Sequence, residues 1–245
     1  MSKLYVVGIG PGAAADMTTR AAAALEEAQV IVGYGVYNDL IRPLFPDKEY
    51  LETPMRKETE RCRMAIDAAL SGKIVAMVCS GDAGVYGMAG LVLELAEGKA
   101  ALDVKIVPGV TAALSGAALL GAPLGHDFAV ISLSDLLTPW EKIEKRLELA
   151  AEADLCMAIY NPSSMKRVDY LQRACDILLR RASPDTICGV ARSIAREGEE
   201  THMMTLKELR EYKADMFTTV FVGNSQTRLI DGRMVTPRGY RDVSR

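Results

Sequence analysis

The most restrictive feature of this sequence is an alternation. Short runs rich in Val and Ile, closed by glycine, are each followed by a segment of helical spacing. "LYVVGIG" (4–10), "VIVGY" (30–34), "KIVAMVCSG" (73–81) and "DVKIVPG" (103–109) read as buried strands. Residues 18–29, 57–72, 87–98 and 110–123 read as helices. Thr18 or Thr19 caps the first, Gly72 stops the second, and Gly121 and Pro123 break the last. Such a chain builds an α/β layer on a largely parallel sheet.

The pattern restarts after Pro123. Strands are expected over 127–134, 155–162, 186–194 and 218–225, and helices over 139–153, 165–182 and 206–214. Trp140, Ile143, Leu147 and Ala150 share one helix face, as do Val168, Leu171, Cys175 and Leu178. Asp231-Gly232 marks a closing hairpin. The boundary is placed near 122–127, giving domains 1–123 and 124–245 with a ligand cleft expected between them.

Composition removes several classes of function. A net charge of −3 gives no global pull toward nucleic acid or an anionic membrane. No apolar run approaches the ~18–20 residues of a membrane span, and "MSKLYVVGIGPG" does not read as a signal peptide. Cys62, Cys79, Cys156, Cys175 and Cys188 are odd in number and scattered, as expected of reduced, buried thiols in a cytoplasmic enzyme. With His126 and His202 the only histidines, no metal site is expected.

The chemistry should sit in the glycine loops. Gly8-x-Gly10-x-x-Ala13 meets a relaxed dinucleotide fingerprint. Pro11 and Gly12 interrupt its turn, however, and the helix begins only near Thr18, so no helix N-terminus faces a pyrophosphate. "SGDAGVYGMAG" (80–90) places a carboxylate in a glycine turn that carries no Lys or Arg. Asp82 would repel a phosphate and suits a neutral or cationic ligand such as S-adenosylmethionine. The alternative is that Asp82 caps a helix and the glycines only shape a turn.

Five ordered motifs, "VVGIGPG", "SGDAGVYGMAG", "VPGVTA", "AIYNP" and "VFVGNS", span the chain. Together they resemble the tetrapyrrole (precorrin) methylases, which are S-adenosylmethionine-dependent. "GAPLGHDFAVISLSDLLTPW" (121–140) and "MVTPRGY" (234–240) are similar to the branch that methylates C-17 of precorrin-3B or cobalt-precorrin-3 as the macrocycle contracts. The resemblance implies two α/β domains, each a mixed sheet flanked by helices, with the donor in the cleft between them, and a homodimer.

It also implies donor contacts from Pro11, Ser80, Gly81, Asp82, Val85, Thr111, Ala112, Tyr160 and Asn161. Gly10 and Gly12 would lie on the substrate side of the first loop. A further family contact falls on "VARSI", with Arg192 and Ser193 where relatives carry Asn and Gly; Gly223 and Asn224 are a weaker adenine-side candidate. Acid–base help in the contraction would come from His126, Asp127 or Asp135, although His126 also suits a domain-junction hydrogen bond and Asp135 a helix cap. The substrate's many carboxylates call for local cations. Arg192 leads the candidates, with Arg56, Lys57, Arg61, Arg63, Arg196, Arg238 and Arg241 behind it. Rival readings are a family member acting at another macrocycle position or on protein or RNA, a nicotinamide-dependent oxidoreductase, and a non-catalytic tetrapyrrole carrier.

Overall fold

The computed structural model describes residues 2–164 and 166–240. The chain divides into two units, Met1–Ala112 and Ala113–Arg245.

The first unit is a five-stranded sheet, β1 (Ser2–Gly8), β2 (Val30–Tyr34), β3 (Glu49–Thr53), β4 (Ile74–Cys79) and β5 (Leu102–Val107). The strand order is β3-β2-β4-β1-β5 and every pairing is parallel. Both faces are covered, which is why the strands read as continuous apolar runs. On one face, Leu4 and Val6 pack with α3 (Glu58–Leu70) and α4 (Ala89–Ala96). On the other, Tyr5 and Val7 pack with α1 (Thr19–Glu27) and α2 (Gly35–Ile41). Thr18 caps α1, its hydroxyl accepting from the Ala21 N–H. The sequence reading lacks α2 and β3. A seven-residue helix shows too little periodicity, and "EYLET" is a charged edge strand without an apolar run.

The second unit carries a mixed sheet in the order β10-β9-β11-β8-β7. Its strands are β7 (Phe128–Ser132), β8 (Cys156–Tyr160), β9 (Ile187–Arg192), β10 (Glu200–Thr205) and β11 (Thr218–Val222). β7 and β8 are parallel, and β11 runs antiparallel to both β8 and β9. β10, a polar edge strand, also escaped the sequence reading. Ile143, Leu147 and Ala150 of α6 (Trp140–Glu152) and Leu171, Cys175 and Leu178 of α7 (Tyr170–Leu178) fill this core. Val168 does not join that stripe. It precedes α7 and is 77% exposed, in a segment tied down by Arg167, whose guanidinium donates to Ser134 Oγ and Ser164 Oγ. α8 is a single turn, Leu206–Leu209, started by a capping box of Thr205 and Glu208.

The division falls eleven residues before the expected 123/124 boundary. Helix α5 (Ala112–Leu120) explains the shift: Phe221 lies against Gly116, Leu120 packs against Gly189, and the Ala113 N–H donates to Tyr160 Oη. The small strand β6 (Gly121–Ala122) follows, pairing with β13 (Arg233–Val235) of the hairpin that β13 forms with β12 (Arg228–Ile230). Asp231 and Gly232 turn that hairpin at φ +48° and +73°.

Candidate active site

Three loops leave the carboxyl edge of the first sheet from the adjacent strands β4, β1 and β5. The chain passes from β1 to α1 on one face and from β4 to α4 on the other. Neighbouring strands whose connections diverge in this way open a crevice where α/β sheets bind ligands.

Backbone contacts hold the loops together. The Gly10 N–H donates to Gly81 O at 3.0 Å and the Gly81 N–H donates to Gly10 O at 2.8 Å. Both glycines sit at positive φ, +78° and +68°. A Cβ on Gly109 would lie 2.1 Å from Gly81 O, and one on Gly8 would lie 2.7 Å from Gly109 N. These glycines let three backbones meet. Thr111 and Ala112 come alongside, 3.6 Å (Cα) and 3.8 Å (N) from where a Gly81 Cβ would be. The structure therefore joins Gly10, Gly81, Asp82, Val85, Thr111 and Ala112 into one cluster, with Ser80 and Pro11 next in sequence. Gly10 and Pro11 are buried and Gly12 half-buried.

Asp82 is the hub. Its Oδ1 accepts from the N–H groups of Gly84 (2.7 Å) and Val85 (3.1 Å), and its Oδ2 accepts from Gly109 N–H (2.9 Å). It is not a helix cap, because α4 begins seven residues later behind Met88. Nor is its carboxylate reserved for a ligand: three backbone donors already hold it, so it clips the β4 and β5 loops while bringing a negative charge to a half-exposed turn. Tyr86 lies outside the expected contacts. This aromatic is 52% exposed on the same turn and takes φ +55°, a conformation costly for a bulky residue.

In the second unit, β7, β8 and β9 end at one edge of their sheet. Tyr160 Oη accepts from the N–H of Ala113, at the start of α5. Asn161, at φ +53°, donates from Nδ2 to Ser132 Oγ at 2.9 Å. Ser193 has φ +49°, so it keeps the left-handed backbone that glycine adopts freely. Gly223 and Asn224 do not belong to this edge. β11 runs antiparallel to β8, with Val222 opposite Met157 and Val220 opposite Ile159. Its end is carried to the other side of the sheet, about 16 Å away for a five-residue strand. There Gly223 and Asn224 line a separate pocket of about 300 Å³ with Asp154, Arg181 and Thr227.

The expected basic lining is corrected at Arg192. Arg192 is occupied: its Nε donates to Asp215 Oδ2 at 2.7 Å and its Nη1 to Glu200 Oε1 at 3.2 Å. These partners raise its pKa, and two carboxylates cancel the charge a substrate would seek. Arg61 is buried, at 5% exposure. Arg56 is exposed at φ +66° and, with Lys57 and Arg63, lines an open hollow shared with Glu58, Glu60 and Asp67. Arg196 is half-buried and Arg238 exposed, while Arg241 lies outside the described residues.

His126 and Asp127 are exposed ahead of β7. Asp135 is not the cap of α6, a position Pro139 fills without a side-chain bond. Its carboxylate instead accepts from Tyr170 Oη at 2.7 Å and faces Arg167 Nη1 at 3.5 Å. The Tyr170 phenol is raised, first by that hydrogen bond and then by burial. Asp135 is thus committed to holding a loop.

Comparison with known proteins adds a separate finding. The family model described as "Tetrapyrrole (Corrin/Porphyrin) Methylases" matches residues 3–210. A Salmonella typhimurium protein named "Probable cobalt-factor III C(17)-methyltransferase" is 49% identical over 238 residues, covering 97% of this chain and 99% of its own. The crystal structure of the methyltransferase CobJ superimposes with a TM-score of 0.90 at 38% identity, covering 97% of this chain and all of that one. At 22% identity, a Thermus thermophilus uroporphyrin-III C-methyltransferase complexed with S-adenosylhomocysteine shares the fold, with a TM-score of 0.72 over 90% of this chain and 94% of its own.

Proposed function

This chain belongs to the tetrapyrrole (corrin/porphyrin) methylase family, and from that premise we propose that it methylates C-17 of precorrin-3B or cobalt-precorrin-3 during ring contraction. S-adenosylmethionine is the proposed donor, and a homodimer the proposed assembly. The observation that carries the reading is the three-loop cluster built around Asp82, at the carboxyl edge where β1 and β4 diverge. Its features suit that donor: close backbone approach at Gly8, Gly10, Gly81 and Gly109, and a fixed carboxylate with no cation on the turn.

The donor supplies an electrophilic methyl on a sulfonium. The chain's part is to hold that cation beside a negative turn and to align the macrocycle carbon, which is itself nucleophilic. Alignment of this kind contributes up to ~7–11 kcal/mol of barrier lowering, so no Ser–His–Asp arrangement is called for. Tyr160, Asn161 and the Ser193 backbone are proposed as further donor contacts, each to be tested by substitution. His126 and Asp127 are the remaining acid–base candidates, because Asp135 is tied to Tyr170 and Arg167.

The test is anaerobic incubation with methyl-labelled S-adenosylmethionine and the macrocycle, with and without cobalt, followed by mass spectrometry and NMR regiochemistry. Label at C-17 of a contracted product is expected. Label at another position would move the chain to a different reaction of the same family. Tight NADH binding without donor binding would support the oxidoreductase rival.

A further inference from the structure

Among the described residues, three buried side-chain atoms lack a hydrogen-bond partner: Asn38 Oδ1, Thr53 Oγ1 and Arg61 Nε. Asn38 belongs to the α1 side of the sheet, its Oδ1 lying 2.2 Å from where a Gly33 Cβ would be, beside Val78. The other two share the opposite face. Thr53 alternates in step with Leu51, which packs on the α3 cluster, and Tyr34 alternates in step with Val30 and Val32 of that cluster. Tyr34 and Thr53 are paired across β2 and β3, at the carboxyl ends of both strands. Arg61 reaches up to them from α3. Its guanidinium carbon lies 5.9 Å from the Tyr34 ring centroid, and its Nη2 donates to the carbonyl of Pro54 at 3.1 Å.

Arg61 is therefore a buried cation with one N–H donor unpaired and, among the described residues, no carboxylate within ion-pair distance. A buried charge without a counter-ion is unfavourable and rare in a settled core. Thr53 leaves a second unpaired hydroxyl on the same side of the same strand ends. The next strand over is β4, which pairs Met77 with Val32 of β2 and ends at Cys79, just before the acidic glycine turn. The orphan donors thus sit at the carboxyl ends of β2 and β3, on the sheet edge from which the acidic glycine turn leaves the neighbouring β4, and next to the exposed 54–57 turn in which Arg56 holds φ +66°.

We propose that Arg61 and Thr53 form a subsite for a ligand carboxylate, with the guanidinium as the buried counter-charge and the Thr53 hydroxyl as a second donor. The inference rests on the methyl-transfer reading, which supplies two sources of that chemistry: the amino-acid end of the donor and the acid side chains of the macrocycle.

The two sources separate in one set of titrations. S-adenosylhomocysteine binding is measured by calorimetry. Uroporphyrin III, an octacarboxylate, and its methyl ester are measured by absorbance. Arg61→Gln and Thr53→Val are compared with the unchanged chain, and melting temperature is followed throughout. Thr53→Val swaps an unpartnered buried hydroxyl for a methyl of the same shape, so its melting temperature is expected to hold or rise while affinity falls. Arg61→Gln is expected to weaken one acid ligand by about 10- to 100-fold, the loss of a charge-assisted hydrogen bond. If S-adenosylhomocysteine suffers, the carboxylate is the donor's. If uroporphyrin suffers and its ester does not, it is the macrocycle's.

Unchanged affinity for both acids in both variants would overturn the proposal and leave Arg61 a strut for the Pro54 carbonyl. Should the unchanged chain bind neither S-adenosylhomocysteine nor uroporphyrin, the methyl-transfer reading fails first and takes this subsite with it.

Discussion

At the residue scale the account turns on Asp82 and the glycines around it. Because three backbone N–H groups converge on that carboxylate, Asp82→Ala is expected to lose about 1–3 kcal/mol of stability by chemical denaturation. Donor affinity should fall with it, since the clip holds the β4 and β5 loops together. Loss of binding with no loss of stability would mean that the ligand, not the fold, uses the carboxylate. Gly109→Ala tests the same junction sterically. Its methyl would stand 2.1 Å from a carbonyl oxygen, so the loops must part and donor binding by calorimetry should drop steeply. The sequence shows a carboxylate in a glycine turn and so points to the right stretch. That Asp82 spends its oxygens on Gly84, Val85 and Gly109 depends on a 27-residue separation that no local pattern encodes. Arg192 misleads for the same reason. Asp215 and Glu200 neutralise it from positions 23 and 8 residues away, joined only when the sheet forms.

At the element scale, Gly90 offers a contrast. It lies within α4, and a Cβ there would meet nothing within 4 Å. Gly90→Ala should therefore raise stability by about 0.5–1 kcal/mol through helix propensity alone, measured as a higher denaturation midpoint with unchanged donor affinity. The pair at the end of β9 gives a pH dependence. Burial alone would raise the Asp215 pKa, but Arg192 and Thr218 outweigh it and the net shift is downward from 3.8. A carboxylate lowered in the folded state adds stability above its unfolded pKa and loses it as pH falls through the folded value. Stability should thus decline below about pH 4, and Asp215→Asn should flatten that part of the curve. Strands closed by glycine and helices of regular spacing were legible. The edge strands β3 and β10 were not, since a strand with one neighbour needs no continuous apolar run. Antiparallel β11 was legible as a strand but not in direction, and direction is what removes Gly223 and Asn224 from the Tyr160 edge.

At the scale of the whole molecule, two five-stranded sheets of different pairing serve one chain, and the division between them follows the packing of α5 rather than the glycine and proline after it. All five cysteines are buried and free. Burial pushes the thiols of Cys62 and Cys79 up to about 11 and that of Cys175 up to about 12. Native protein at pH 8 should therefore react with almost no Ellman reagent, and denatured protein with five equivalents. The central claim is that the acidic glycine turn of the first sheet holds the methyl donor. A crystal soaked with S-adenosylhomocysteine tests it most directly. Density is expected against the backbone of Ser80–Val85 with Gly10 and Thr111 beside it; density confined to the pocket of Gly223 and Asn224 would contradict it.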